Sequence, residues 1–246
     1  MRGVAVTVSI IVPAYNEEKL LPATLESLRT AAGAFTALGW EHEVVVCDNN
    51  SADRTAELAR SAGARVVFEP VNQISRARNT GAAAAAGAWL VFVDADSQPC
   101  AGLFGAVAEV IRRGDVLAGG STLRLEGPYP AARFITGCWN RLSRMARWAA
   151  GSFIFCEAAA FRAEGGFSER LYASEEIELF QRLKRRARRE GRRIEILHRH
   201  PMRTSERKLH LYTPWEHAWF LARTVLGAGR TLRRREDCGT WYDGRR

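Results

Sequence analysis

Phe92-Val93-Asp94-Ala95-Asp96 sets two carboxylates one residue apart, directly after the apolar run that begins at Trp89. If the strand direction continues, side chains at i and i+2 point the same way, so both acids can reach one divalent cation, or a cation and a ribose. A hard cation with oxygen ligands is what bridges diphosphate oxygens and offsets charge on a phosphate leaving group. Alone, the triplet reads first as an exposed acidic turn. Its surroundings decide between the two.

Upstream, short β-branched runs alternate with longer helical patterns. We expect strands at residues 4–12, 43–47, 65–68 and 89–93, with helices at about 17–33, 52–62 and 75–87 between them. This alternation is the signature of parallel strands joined by crossover helices, an α/β fold with a mostly parallel, Rossmann-like sheet. Ser51-Ala52-Asp53 reads as a helix N-cap and Gly63 as its stop. The strand ends then carry residues 13–17, 48–51 and 94–97, and in such sheets ligands bind outside the carboxyl ends of the strands.

Downstream, the sequence predicts a helix at 102–113, a strand at 115–125 and a break at Pro128 and Pro130. Residues 131–149 space Phe134, Ile135, Cys138, Trp139, Leu142, Met145 and Trp148 helically, with Arg133, Arg141, Arg144 and Arg147 between them, an amphipathic basic helix. A strand at 153–161, the turn Gly165-Gly166-Phe167, a helix at 175–189 and a strand at 193–197 follow. A last amphipathic segment spans 215–234.

The 246 residues suit one large domain with a small appendage. Five scattered cysteines without a C-x-x-C pair argue against a zinc cluster or a disulfide framework and suggest a reducing cytoplasm. The apolar run at 4–12 is too short for a signal peptide, and residues 82–93 are too few to span a bilayer. We therefore expect a cytoplasmic protein, with the inner face of the cytoplasmic membrane as a further place of residence. The net charge of +9 is uneven: residues 181–246 hold 19 of the 36 Lys and Arg against 7 of the 27 Asp and Glu. Such a block meets phosphates or anionic lipid, or is simply a solvated helix face.

Four motifs in order now bear on the D-x-D triplet. The stretch Ser9-Ile10-Ile11-Val12-Pro13-Ala14-Tyr15-Asn16-Glu17-Glu18, the acidic loop Asp48-Asn49-Asn50-Ser51-Ala52-Asp53-Arg54-Thr55, the run Arg76-Ala77-Arg78-Asn79-Thr80-Gly81, and Gly165-Gly166-Phe167 ahead of Glu175-Glu176 together resemble family 2 glycosyltransferases of the GT-A fold, over roughly residues 7–200. The resemblance implies a nucleotide-diphospho-sugar transferase fold with a small antiparallel acceptor-side sheet. Its nucleotide-binding half would be about 1–97, its acceptor half about 98–200, and 201–246 a basic amphipathic extension. It also implies an enzyme that moves a hexose from a UDP- or GDP-linked donor to an acceptor hydroxyl with inversion, using Mn²⁺ or Mg²⁺.

Carried over by position, the resemblance has Pro13, Ala14 and Tyr15 hold the nucleobase, Tyr15 offering a π face. Packing on the sheet is the alternative for Tyr15. Glu17 and Asp48 would contact base or ribose, although Asp48 also suits a helix cap. Asn49 stands where the family often has a second Asp, which leaves base identity open. Arg76 and Arg78 would bind the diphosphate at a helix start, or serve solubility. Asp94 would lie near ribose or metal, and Asp96 would bind the metal directly, with His200 or His198 as a further ligand. Thr204-Ser205-Glu206-Arg207 would form a loop over the donor.

An acceptor hydroxyl must lose its proton as it attacks, so a carboxylate must face it from the side opposite the leaving group. The family motif usually reads Glu-Asp, which favours Glu176 as base, with Glu175 second; both acids also suit a helix N-terminus. Acceptors consistent with this reading are saccharides, lipid-linked molecules or small alcohols. Two other classes compete. A sugar-phosphate nucleotidyltransferase lacks its Gly-rich loop after the first strand, where Pro13-Ala14-Tyr15 stands. A non-enzymatic basic protein on a membrane surface would use Trp139, Trp148, Trp215 and Trp219 among arginines for peripheral contact with anionic lipid. Nucleic acid is disfavoured, because no reading motif accompanies the basic block.

Overall fold

The computed structural model describes residues 6–126, 130–205 and 236. Its first half alternates strand and helix: β1 (Thr7–Ala14), α1 (Leu21–Thr36), β2 (Glu41–Asp48), α2 (Thr55–Ser61), β3 (Arg65–Phe68), α3 (Ile74–Ala84) and β4 (Trp89–Val93). Then follow β5 (Ser97–Gln98), α4 (Ala101–Arg113), β6 (Val116–Glu126), α5 (Pro130–Ala146), β7 (Phe153–Glu157), α6 (Ala158–Ala163), α7 (Glu175–Arg189) and β8 (Arg193–Ser205).

The strands form one sheet in the order β3-β2-β1-β4-β7-β6-β8-β5. The run β3-β2-β1-β4 is parallel. β7 joins β4 antiparallel, so the expected acceptor-side strands continue the same sheet rather than forming a separate one. Within that extension β6 pairs antiparallel with β7 and parallel with β8. Ala14 lies opposite Asp48, and Asp48 opposite Phe68, so the carboxyl ends of β1, β2 and β3 finish level. The chain builds outward from β1 to β3 and then returns to the other side of β1 with β4. That reversal of direction is where an open α/β sheet offers its crevice.

The strands are apolar on both faces because helices cover both. Val8, Ile10 and Val12 of β1, with Val91 and Val93 of β4, enter one core with α1 and α4, where Phe35 and Phe104 stack at 5.1 Å. Ile11, Leu90 and Phe92 enter the other, built with α6 and α7. Phe92 there meets Phe161 at 5.3 Å and Phe167 edge-on at 5.1 Å, which ties the Gly-Gly-Phe turn to the strand that carries the D-x-D triplet.

Several expectations need adjustment. The strand predicted at 153–161 ends at Glu157, and Ala158-Ala159-Ala160 turn into α6, as three strong helix formers favour. The first helix starts at Leu21, with Pro22 in its first turn, where a missing N–H costs nothing. The last strand runs on to Ser205, and residues 198–201 bulge from it opposite Thr122. The segment at 215–234 lies outside the described residues. Among the described residues, no helix is long and apolar enough to cross a membrane.

Candidate active site

Two loops meet at the ends of β1 and β2. Asn16 takes a left-handed φ of 52°, and Asn50 one of 66°, conformations that Asn tolerates better than most residues. Hydrogen bonds cross between the loops: Asn16 N–H donates to Ser51 Oγ (2.9 Å), Glu17 N–H to Thr55 Oγ1 (2.8 Å), Glu18 N–H to Asp53 Oδ2 (3.1 Å) and Ala52 N–H to Asn16 Oδ1 (2.8 Å). Burial would raise the Asp53 pKa, but the Thr55 hydroxyl and main-chain N–H groups of Thr55 and Glu18 hold it below the usual value.

The S-x-D-x-T pattern therefore fixes the loop after β1. Ser51 was expected to cap a helix, yet α2 begins at Thr55 without a side-chain cap, because the Ser51 oxygen accepts from the neighbouring loop instead. Pro13, Ala14, Glu17 and Asp48 are buried here and Tyr15 is half-buried, all at this edge of the sheet. Asp48 Oδ1 accepts from Ser51 N–H (3.1 Å), which closes the turn after β2. Asn49 faces inward: its amide donates to the carbonyls of Glu69 (3.1 Å) and Val71 (2.6 Å), and its oxygen accepts from Gln73 N–H (2.9 Å). Asn49 thus shapes the approach to α3, and both its amide protons are engaged by the chain.

The start of α3 is stitched to the loop before α7. Gln73 donates to the carbonyls of Glu169 (2.8 Å) and Leu171 (2.9 Å), and Arg76 pairs with Glu169 at 3.0 Å. Asn79 exchanges two bonds with the Phe167 backbone, donating to its carbonyl and accepting from its N–H at 2.9 Å each. Gly166 has a φ of +70°, and a Cβ there would lie 2.6 Å from the Asn79 side-chain oxygen, so only glycine fits the turn.

Arg78 occupies the centre. It is 2% exposed. Nη1 donates to Glu175 Oε1 at 2.6 Å, and Nη2 donates to Asp94 Oδ1 and to the Gly151 carbonyl at 2.9 Å each. Its guanidinium lies over the Phe167 ring, 5.2 Å from the centroid. A Cβ on Gly151 would approach Nη2 to 2.9 Å, so this position too needs glycine. Arg78 therefore turns inward to two carboxylates, whereas the sequence reading aimed it at a diphosphate. It joins the D-x-D triplet to the acidic pair, which lies 97 residues away in sequence.

Glu175 is buried at the first position of α7, and Ser174 before it adopts a strained left-handed φ of 60°. Glu176 is half-buried. Its pKa is pushed up to about 8, first by desolvation and then by the Glu175 carboxylate, with Asp94 adding to the rise and Arg78 opposing it. Asp94, Glu175 and Glu176 thus share one electrostatic neighbourhood, with the cation of Arg78 among them.

Asp96 is half-buried, with its Oδ1 3.4 Å from the Ser97 hydroxyl, and that hydroxyl donates to Thr204 Oγ1 (3.0 Å). Two hydroxyls of α1 hold this loop from beneath: Thr24 donates to the Ala95 carbonyl (2.7 Å) and Ser27 to the Pro99 carbonyl (2.6 Å). His198 and His200 are exposed in the bulge of β8, and the His200 ring packs over Gly102 at the start of α4. Among the described residues, no group of three or more His, Cys, Asp or Glu is arranged to hold a metal. Glu206 and Arg207 lie outside the described residues. Sequence reasoning missed Thr24, Ser27, Gln73 and Asn79 because their partners are carbonyls and amides, which carry no residue identity.

Comparison with known proteins bears on the family and the fold. Residues 9–164 match Glycosyl transferase family 2, and the chain belongs to that family. An uncharacterized glycosyltransferase of Mycobacterium tuberculosis is 38% identical over 120 residues, covering 48% of this chain and 50% of the relative. The chain thus spans about half the length of that relative. Among solved structures, Staphylococcus aureus TarS in complex with UDP-GlcNAc superposes with a TM-score of 0.62 at 19% identity, covering 95% of this chain and 69% of that one. Glucosyl-3-phosphoglycerate synthase of Mycobacterium tuberculosis, in complex with Mn²⁺, UDP and glucosyl-3-phosphoglycerate, gives 0.62 at 19% identity, covering 93% and 80%. These structures share the GT-A fold seen here.

Proposed function

We propose that this chain transfers a hexose from a UDP- or GDP-linked donor to an acceptor hydroxyl, by a single displacement that inverts the anomeric carbon. The observation that carries the reading is the Arg78 bridge between Asp94 and Glu175, which leaves Glu176 beside it with no ion pair to a guanidinium among the described residues. A carboxylate fixed by an arginine serves to position its neighbours, while a carboxyl raised toward neutral pH is suited to take a proton. Glu175 is then the positioning residue and Glu176 the base. Glu176 takes the acceptor proton as the acceptor oxygen bonds to the anomeric carbon and the bond to the diphosphate breaks.

In this reading the nucleobase and ribose lie along the edge formed by Pro13, Ala14, Tyr15, Glu17 and Asp48, over the cross-bonded loops. Arg76, partly exposed at the start of α3, serves the diphosphate, and Arg78 acts through the acids that it orients. The strand direction does not continue past Val93, because Ser97 N–H donates to the Asp94 carbonyl (3.0 Å) and turns the chain; Asp94 and Asp96 on that turn suit Mn²⁺ or Mg²⁺, which takes one or two carboxylates and completes its shell with water and substrate phosphate. When bound, such a cation neutralises charge on the departing nucleoside diphosphate. The Mn²⁺ and UDP of the glucosyl-3-phosphoglycerate synthase complex support this choice.

A thermal-shift series with UDP and GDP, with and without Mn²⁺, tests the donor side, since a ligand of the native state raises Tm. The account expects a rise that needs both nucleotide and cation and is lost in Asp96→Ala. NMR of the earliest product tests the chemistry. Retention of the donor's anomeric configuration would exclude the single displacement.

A further inference from the structure

A cavity of about 790 Å³ opens between β6, α5 and β8, and its walls include Arg124, Arg133, Thr136, Gly137, Asn140 and Arg203. Among the described residues no carboxylate lines it. Elsewhere arginines meet acids, as at Arg76, Arg113, Arg182 and Arg192, but Arg124 and Arg133 form no ion pair among the described residues. The wall is built firmly. Asn140 accepts from Leu123 N–H at 2.8 Å and donates to the Leu123 carbonyl at 2.9 Å, which fastens α5 to β6.

The cavity is also close to the D-x-D triplet. Thr204 pairs with Ser97, the residue after Asp96, and also with Leu125 of β6. Two strand spacings, about 10 Å, therefore separate β5 from the cavity wall at β6. Arginine side chains extend from the cavity wall into part of that distance, which leaves room for a small alcohol with one anionic substituent. Guanidinium groups without carboxylate partners bind phosphate oxygens bidentately.

We infer that this cavity is the acceptor subsite and that the acceptor carries a phosphate group beside its reacting hydroxyl, an inference that rests on the transferase reading above. Phosphate seats against Arg124 and Arg133, and the hydroxyl reaches toward the Asp94, Asp96 and Glu176 edge. The source of the phosphate is a soluble phosphate monoester or a lipid headgroup. The exposed Phe134, Leu142 and Met145 on the same helix make the lipid arm worth measuring.

The test titrates the full chain, in chelator, with inorganic phosphate and with glycerol 3-phosphate by calorimetry. A parallel arm sediments it with phosphatidylcholine vesicles with and without phosphatidic acid. The expected result is binding that UDP does not displace and that Arg124→Gln with Arg133→Gln weakens at least ten-fold. Gly137→Leu provides a second variant that keeps the fold, since a Cβ at Gly137 meets nothing within 4 Å and leucine favours the helix. It is expected to project into the cavity and weaken binding without lowering Tm. Arginine-dependent binding of the monoester alone assigns a soluble acceptor; arginine-dependent binding to phosphatidic acid vesicles assigns a lipid-borne one. Binding displaced by UDP, indifferent to all three substitutions, or absent in both arms overturns the inference. Failure of the UDP and Mn²⁺ thermal shift with phosphate binding intact would instead remove the donor reading and leave the cavity an anion site.

Discussion

The loops that end β1 and β2 and the cluster around Arg78 occupy the same edge of the sheet, but they are held by different physics. In the first, hydroxyl, carboxyl and amide side chains satisfy main-chain N–H groups across two loops, through contacts such as Glu17 to Thr55 and Asn16 to Ser51. Such bonds hold shape and leave little charge unbalanced. In the second, three carboxylates of Asp94, Glu175 and Glu176 surround one guanidinium, and one of the acids is driven toward its protonated form. The first region is a frame for a ligand. The second is a reactive centre, its charge completed by what binds there.

If that contrast is right, substitutions should divide into those that stop chemistry and those that loosen the frame. Glu176→Gln should have the largest effect on rate, lowering kcat by about 10²–10⁴-fold, the usual contribution of a general base, with donor affinity retained. Steady-state kinetics beside nucleotide titration checks this, and a fall in donor affinity without a fall in kcat would dissolve the distinction.

Arg78→Met should both slow transfer and destabilise the fold by about 3–5 kcal/mol, because it leaves the buried Glu175 and the half-buried Asp94 without their cation. Chemical denaturation measures the loss. Arg78→Lys should recover part of the stability but little of the rate, since one ammonium cannot reproduce the fork that spans Asp94 and Glu175. On the frame side, Thr55→Val should cost about 1–3 kcal/mol by leaving the Glu17 N–H unpaired. Its kcat should stay near that of the parent protein while KM for the donor rises.

The contrast also bears on stability against pH. The Glu176 pKa is raised from 4.5 to about 8 in the folded state, so its favourable contribution is complete below 4.5 and is lost as pH rises through about 8. Glu176→Gln cannot lose that proton, so its Tm should exceed that of the parent increasingly over the same window. Melting curves across pH 4 to 9 would show the two diverging. Equal slopes would mean that Glu176 titrates normally.

Much of this organisation is readable from residues alone, and the reason is local. The strands announce themselves through β-branched apolar runs such as Val44-Val45-Val46, and Asp94 and Asp96 sit at the end of a strand buried on both faces. Arg78 is different. Its two partners lie 16 and 97 residues away, and its helix start would suit a solvent-facing diphosphate clamp just as well. Asn49 likewise reads in the sequence as a ligand-facing amide, whereas its protons go to the carbonyls of Glu69 and Val71, 20 and 22 residues on. The two-residue β5 escaped notice because Ser97-Gln98 has no apolar pattern and owes its pairing to β8.

The charge imbalance around Arg78 can be measured directly by ¹³C NMR titration of the Glu176 side-chain carboxyl in the full chain, assigned through Glu176→Gln. The account predicts a midpoint near 8, moving to lower pH in Glu175→Gln, where a neighbouring negative charge is removed and Arg78 is released. A midpoint near 4.5 in the parent protein, unmoved by the substitution, would contradict it.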